Sequence, residues 1–146
     1  HAYETDIAKL DLQAAWAYLS MDVNGLKQVN DTRGHAAGDE LIRAAAETLK
    51  RSFADIGRVY RIGGDEFVVI VTGELEALDA RLQDFDVDVA HWRGELVDTM
   101  SIAWGYVLST EQAWESVHEI SKAADIRMYE RKAYFYRENG MDRRKS

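Results

Sequence analysis

Hydrophobic residues along the chain recur at two spacings, one typical of buried strands and the other of amphipathic helices. Continuous or alternating apolar stretches predict five strands, at residues 15–21, 58–62, 67–71, 87–92 and 99–107. Apolar residues three or four positions apart predict helices at residues 3–12, 26–30, 39–53, 74–85 and 111–135. Strands and helices that alternate around one hairpin predict an α+β fold, with a single sheet and helices over its faces.

The predicted hairpin carries the clearest chemical signal, the heptapeptide Arg-Ile-Gly-Gly-Asp-Glu-Phe at residues 61–67. Two glycines suit a tight reversal between strands, because glycine accepts positive φ at little cost. The carboxylates of Asp65 and Glu66 follow at once, and the next strand holds them in place. Hard oxygen ligands at a hairpin tip suit Mg²⁺. A solvated hairpin whose acids only maintain solubility would carry the same residues.

Another carboxylate, Asp22, ends the first predicted strand. If that strand and the hairpin are neighbours in the sheet, Asp22 and Asp65 meet at one rim although they are far apart in sequence. The alternative is that Asp22 caps the turn that follows its strand. The adjacency of these two strands therefore decides whether the chain has a metal site.

The composition fits one domain of 146 residues, 47% hydrophobic and 30% charged. The net charge of −8 argues against a general nucleic-acid binder, whose affinity would depend on neutralising phosphates. The chain has no cysteine, which excludes disulfides and thiolate chemistry, and no apolar run reaches the ~18 residues of a membrane span. We expect a soluble, cytoplasmic domain that contacts neither nucleic acid nor a membrane.

Four segments of the chain form a recognisable set: Met-Asp-Val-Asn-Gly-Leu-Lys-Gln-Val-Asn-Asp (21–31), Gly-His-Ala-Ala-Gly-Asp (34–39), Gly-Gly-Asp-Glu-Phe (63–67) and Ala-Asp-Ile-Arg-Met-Tyr-Glu-Arg-Lys (124–132). In this order and spacing they resemble the GGDEF domain of diguanylate cyclases over nearly the whole chain. The resemblance implies a central, mainly antiparallel five-stranded sheet flanked by helices, with a ferredoxin-like core related to the palm of nucleotide cyclases and polymerases. It also implies a reaction that joins two GTP molecules into cyclic di-GMP and releases two pyrophosphates.

The same resemblance assigns metal ligands and catalytic acids. Asp22, the backbone carbonyl of Val23 and Asp65 match the ligands of two Mg²⁺ ions, with Mn²⁺ as an alternative. Two ions about 4 Å apart steady the attacking and leaving oxygens of a phosphoryl transfer. Asp65 is also the candidate base for the 3′-hydroxyl, and Glu66 is expected to support the metals or the turn.

The loop after Asp22 opens a helix, and backbone N–H groups at such an end attract phosphate oxygens. We expect Gly25 and Leu26 to contribute there, because a glycine lets the backbone approach a ligand closely. Lys27 is either an additional phosphate contact or a solvated surface lysine.

Asn30 and Asp39 match the guanine-reading pair of the family, and His35 matches a substrate contact. A carboxylate can accept hydrogen bonds from both N1–H and the N2 amine of guanine, so Asp39 argues for GTP over ATP. Without the resemblance, Asp39 would be interpreted as a helix N-cap. His35 would equally suit a loop histidine that only packs.

Lys132 matches a lysine that reaches the nucleotide phosphates in the family. The family pattern adds an arginine four residues later, but this chain has Tyr136 there and Arg137 next to it. Arg137, Arg143 or Arg144 are candidates to replace the missing cation, or the basic tail is only solvated charge.

Two motifs of the family are missing. The inhibitory product site, an Arg-x-x-Asp, would fall on Ala54 and Gly57, and Asp55 is out of register, so we expect no such site. The N-terminal turn of the family is also absent, which suggests a domain cut from a longer protein with an upstream sensory domain. Because one domain holds one GTP, the reaction requires a homodimer. The alternative function is a weak or inactive GTP-binding module that regulates a partner.

Overall fold

The computed structural model describes residues 2–138, apart from the side chain of Phe135. Its helices are α1 (Ala2–Ile7), α2 (Leu26–Arg33), α3 (His35–Phe53), α4 (Leu78–His91) and α5 (Val117–Glu138), with a 3₁₀ turn at Leu75–Ala77. Its strands are β1 (Ala17–Val23), β2 (Gly57–Arg61), β3 (Glu66–Val71) and β4 (Ile102–Leu108).

The strands form one sheet in the order β2-β3-β1-β4, and every neighbouring pair is antiparallel. With α2 and α3 counted as one connection, the chain runs β-α-β-β-α-β, the order of a ferredoxin-like core. The predicted α+β fold with an antiparallel sheet and flanking helices is confirmed. The sheet of the described residues has four strands rather than the predicted five.

The fifth strand, predicted at residues 87–92, is wrong because this segment continues helix α4 to His91. The alternation of Val87 and Val89 around an aspartate imitates a strand. The buried side chains of α4 are instead Leu78, Leu82, Phe85 and Val89, which recur at the three- and four-residue spacing of a helix. Val87 is 54% exposed, so it does not belong to the core face.

Strand β1 is central and covered on both faces, and all seven of its residues are buried. Side chains alternate between the faces of a strand. Leu19, Met21 and Val23 therefore join the core beneath α3 and α4, whereas Tyr18 packs in the second core beneath α5. Asp22 lies four positions after Tyr18, so its side chain is on the same face of the strand, and its carboxylate points towards α5.

Several helix boundaries differ from the predictions. Helix α3 begins at His35, four residues earlier than predicted, directly after Gly34, whose φ of 90° ends α2. Helix α5 begins at Val117 rather than at residue 111. At this start the Ser116 hydroxyl accepts a hydrogen bond from the Glu119 N–H at 3.1 Å. No helix between residues 2 and 138 combines the length and apolar character needed to cross a membrane.

Candidate active site at the rim of the sheet

Three carboxylates meet where β1 and β3 pair at the end of the sheet. Oxygens of Asp22, Asp65 and Glu66 lie within 4.8 Å of one another. The strand register causes this, because Asp22 lies opposite Glu66 and the Val23 N–H donates to the Asp65 carbonyl at 2.9 Å. The structure thus brings together the two aspartates that the sequence analysis expected at one rim.

The hairpin tip that carries Asp65 is held by Arg61. Its guanidinium donates to the carbonyls of Gly63 at 3.1 Å and Gly64 at 2.8 Å. Neither glycine has a positive φ, so the explanation offered for them from the sequence is wrong. A Cβ at either position would meet no atom of the described residues within 4 Å, so a side chain there would meet no steric obstacle from them. Arg61 was not among the predicted site residues, because a sequence does not show which turn carbonyls need a donor; its position just before the two glycines was the available signal.

Lys132 of α5 reaches into the cluster and pairs with Asp22, with 3.0 Å between Nζ and Oδ2. The two side chains are 15% and 5% exposed. Burial raises the pKa of the Asp22 carboxyl to about 7, because Lys132 offsets only part of the desolvation and Asp65 adds repulsion. Burial opposes the charge of Lys132, but Asp22 and Asp65 together keep the lysine pKa above its ordinary value. The cluster therefore has more negative charge than one lysine neutralises.

Two buried oxygens at this rim, Asp22 Oδ1 and Asn24 Oδ1, have no hydrogen-bond partner among the described residues. Leaving a buried polar group unpaired costs about 1–3 kcal/mol. The Asn24 amide is held on its other side, where Nδ2 donates to the Ser101 hydroxyl at 2.9 Å. Carboxylate oxygens with unused lone pairs are the donors that Mg²⁺ prefers, so the residues present fit a hard divalent cation.

The loop between β1 and α2 turns at Gly25, whose φ of 74° and ψ of 15° lie in the left-handed region. This is the position near the site where the backbone requires glycine. No side chain of residues 2–138 caps the start of α2 with a hydrogen bond. Leu26 packs against the main core, and Lys27 is exposed.

Asn30 of α2 packs tightly against Gly38 of α3. A Cβ at Gly38 would overlap the side-chain oxygen of Asn30, so only glycine permits this approach. Gly38 belongs to the motif segment at residues 34–39, but it was not predicted as a site residue. Asp39 and His35 are exposed on α3. Asp39 lies inside the helix, so the alternative interpretation as its N-cap is wrong. It lines a cavity of about 400 Å³ with Arg61 and residues of β2 and β3.

Tyr136 occupies the place where the family pattern expects arginine, and it is 1% exposed. Its hydroxyl accepts a hydrogen bond from the Gly25 N–H at 3.3 Å. Arg137 is exposed on α5. Arg143 and Arg144 lie outside the described residues.

The positions of the missing product site have structural roles of their own. Ala54 caps the end of α3, and a side chain at Gly57 would collide with the carbonyl of Ile70. Asp55 forms a bidentate pair with Arg81, at 2.6 and 2.7 Å. This arginine keeps the pKa of Asp55 below its usual value.

Glu40 is a second residue that the sequence analysis missed. Its carboxylate accepts backbone N–H groups of Glu95, Leu96 and Val97 at 3.0, 3.0 and 2.9 Å, and these bonds lower its pKa. Glu40 thus fastens α3 to the segment that leads from α4 into β4. A partly exposed glutamate next to Asp39 gives no distinctive sequence signal for this role.

Comparisons with known proteins identify the family of this chain. The family model described as "Diguanylate cyclase, GGDEF domain" matches residues 2–135. The chain is 32% identical over 133 residues to the probable diguanylate cyclase DgcI of Escherichia coli, covering 90% of this chain and 28% of that protein. It is also 32% identical over 128 residues to the diguanylate cyclase DgcN of the same organism, and this match covers 84% of this chain and 31% of that protein.

Among solved structures, the GGDEF domain of DgcB from Caulobacter crescentus, determined in complex with c-di-GMP, superposes with a TM-score of 0.76. The match covers 97% of this chain and 86% of that chain at 23% identity, and it supports the fold. This chain spans less than a third of the length of the two Escherichia coli relatives. The match to the family model over nearly the whole chain shows that the protein belongs to the GGDEF domain family of diguanylate cyclases.

Proposed function

We propose that this domain condenses two GTP molecules into cyclic di-GMP with release of two pyrophosphates. The observation that carries the proposal is the cluster of Asp22, Asp65 and Glu66, whose oxygens lie within 4.8 Å of one another beside Lys132. A structural role would not require three like charges at one rim, because their mutual repulsion destabilises the fold. Names of the relatives point to the same reaction.

Two Mg²⁺ ions, or Mn²⁺ in their place, are the proposed cofactors, with Asp22, Asp65 and the Val23 carbonyl as their ligands. The buried Oδ1 of Asp22, which has no hydrogen-bond partner within residues 2–138, supports this choice, since a cation would satisfy it. When bound, the ions would neutralise triphosphate charge and acidify the attacking hydroxyl. Glu66, opposite Asp22 in the strand register, supports the ligand set or the turn.

The side chains of the site then have separate tasks. Asp65 accepts the proton of the 3′-hydroxyl, which becomes the nucleophile on the α-phosphate of the second nucleotide. Lys132, which pairs with Asp22 in the absence of nucleotide, would bind a phosphate oxygen when the nucleotide is present. The Leu26 N–H at the start of α2 binds a further phosphate oxygen, and the Gly25 N–H does the same when it releases the Tyr136 hydroxyl. Lys27, which is exposed on the same turn, is an additional phosphate contact.

Guanine recognition is proposed for Asn30 and Asp39, with His35 as a further contact. The amide of Asn30 donates and accepts, and the Asp39 carboxylate accepts from N1–H and the N2 amine. Adenine would face Asp39 with an acceptor nitrogen and leave the charge unpaired, at a cost of about 1–3 kcal/mol. The packing of Asn30 on Gly38 supports a fixed amide.

Each domain holds one nucleotide, so we propose that the active species is a homodimer in which two half-sites face each other. In the whole protein an upstream sensory domain would control this pairing. We further propose that the domain functions in the cytoplasm, where GTP is available, without contacts to nucleic acid or membrane. The net charge of −8 is consistent with the exclusion of nucleic acid.

The test is product formation by a tethered dimer supplied with GTP and Mg²⁺, with the product identified by mass. We expect cyclic di-GMP from the wild type and none from Asp65→Asn, whose amide cannot accept the proton. Asp88→Asn, an exposed acid on α4, is the matched control and should retain full activity. Full activity of Asp65→Asn would remove Asp65 from the mechanism.

A second candidate function is a GTP-binding module that regulates a partner domain. It is favoured by Tyr136, which puts a neutral residue where the family pattern has a cation. Tight GTP binding by the tethered dimer without any cyclic product would select this function over catalysis.

A further inference from the structure

Strand β4 is an open edge of the sheet, because within residues 2–138 it pairs with β1 on one side and with no strand on the other. The Asn24 N–H donates to the Ser101 carbonyl at 2.9 Å, so the odd-numbered residues of this strand direct their backbone groups towards β1. In an antiparallel pair the intervening residues direct both backbone groups away from the partner. The outer edge therefore presents the N–H and C=O groups of Ile102, Trp104, Tyr106 and Leu108.

The chain caps only one end of this edge with its own side chains. The Tyr106 carbonyl accepts from the Arg127 guanidinium at 2.6 Å, and the Glu111 carboxylate accepts from the Leu108 N–H at 2.6 Å. An edge with unpaired backbone groups is a template for another strand. The outward groups that have no hydrogen-bond partner within residues 2–138 are both groups of Ile102, both groups of Trp104 and the Tyr106 N–H.

A cavity of about 770 Å³ runs along this open stretch. Helix α4 borders it with Asp86, and α5 borders it with Glu130, Arg131 and Tyr134. Arg131 lies over the Trp104 ring, with 3.6 Å between Cζ and the ring centroid, and takes none of the outward backbone groups. The two helices thus form the walls of a groove and leave the backbone at its floor unpaired.

The charges of the groove select the kind of strand that fits it. Asp86 accepts the indole N–H of Trp104 at 2.8 Å, but neither Asp86 nor Glu130 forms an ion pair within residues 2–138. Among the described lining residues, Arg131 is the one cation without a carboxylate partner, so the uncompensated charge of the groove is negative. The whole chain has a net charge of −8, which repels a second copy and attracts a basic segment.

We propose that the outer edge of β4 binds an extended segment of a partner protein in which basic and apolar residues alternate. The segment pairs as an additional strand with the open backbone groups of Ile102, Trp104 and Tyr106. Side chains alternate between the two faces of a strand. The basic ones lie towards Asp86 on the α4 side, and the apolar ones lie towards Tyr134, a 58% exposed ring on the α5 side.

The experiment titrates the isotope-labelled domain with two synthetic hexapeptides, one alternating lysine with valine and the other alternating glutamate with valine. Shifts of the backbone amide signals in NMR spectra locate the binding site and give the affinity. We expect the lysine peptide to shift the amides of Trp104 and Tyr106, and the glutamate peptide to leave them unchanged. Strand β2, the opposite edge of the sheet, carries Arg58 and Arg61 and should not respond to the lysine peptide.

Two alterations separate strand pairing from general electrostatic attraction. A lysine peptide that is N-methylated at alternate amides keeps its charge but loses the N–H groups that pair with the edge, and it should bind at least about tenfold more weakly. Asp86→Asn keeps an acceptor for the indole and removes the charge, which should weaken binding of the lysine peptide about threefold. Asp88→Asn removes an exposed charge outside the cavity lining and should bind like wild type.

The test needs no nucleotide, so its result is independent of the proposed function. The edge is refuted as a binding site if the lysine peptide at millimolar concentration shifts neither Trp104 nor Tyr106, or shifts Asp22 and Asp65 instead. Equal affinity of the N-methylated peptide would refute backbone pairing, and equal affinity of the glutamate peptide would refute the selection by charge. If the same amides shift with protein concentration alone, the occupant is a second copy and the proposed partner is wrong.

Discussion

The burial of Asp22 predicts that the metal-free protein becomes less stable as the pH rises towards neutrality. The pKa of this carboxyl increases from an ordinary 3.8 in the unfolded chain to about 7 in the fold. Between these values the folded state keeps a proton that the unfolded state has released, so the free energy of unfolding falls with rising pH. The linkage relation gives a loss of about 2 kcal/mol from pH 5 to pH 7 for this one group.

The assay is urea unfolding of the wild type and Asp22→Asn between pH 5 and pH 8, with a chelator present. The difference between the two profiles isolates Asp22, because every other titrating group is shared. We expect the wild type to lose about 2 kcal/mol relative to the variant over this range. Millimolar Mg²⁺ should abolish the difference in slope, since a bound cation favours the carboxylate. Parallel profiles without metal would refute the claim that Asp22 is desolvated at this rim.

Three further outcomes follow from the site. Gly38→Ala should lower the free energy of unfolding by about 1–3 kcal/mol in a urea titration, because the new Cβ overlaps Asn30. The control Gly73→Ala meets only ordinary contacts and should change stability little, so equal effects of the two variants would contradict the packing argument. Asp39→Ser should raise the use of ATP relative to GTP in a coupled pyrophosphate assay, and an unchanged ratio would remove Asp39 from base recognition. Initial rates should be unaffected by micromolar cyclic di-GMP, and non-competitive inhibition would reveal a product site.

The sheet was predictable where a strand is apolar and bounded by turn residues. Both hairpin strands follow from such segments. The adjacency of Asp22 to the hairpin was only a condition of the prediction, and the pairing of β1 with β3 meets it. The strand prediction for residues 87–92 was wrong because two valines around one aspartate fit the spacing of a strand locally. The buried residues from Leu78 to Val89 follow the spacing of a helix. The spacing of apolar residues distinguishes a helix from a strand only when it is compared over the length of a whole helix, rather than over six residues.

The candidate site was predictable from its motif residues but not in its packing. The motifs identified the acids, and the pairing of β1 with β3 brings them to one rim. The glycines that matter to the backbone or to close packing are Gly25 and Gly38 rather than the hairpin pair. The contact of Tyr136 with the Gly25 N–H joins residues more than a hundred positions apart. Such a contact depends on how α5 docks on the sheet, which no local pattern encodes.

The most direct test of the account is to locate a divalent cation. Crystals soaked with Mn²⁺ and a GTP analogue that cannot react would show the ion by its anomalous scattering. We predict a peak bounded by carboxylate oxygens of Asp22 and Asp65, with Lys132 displaced from Asp22 towards a phosphate. A nucleotide bound elsewhere, or an Asp22 that keeps its lysine while manganese lies away from both aspartates, would contradict the account.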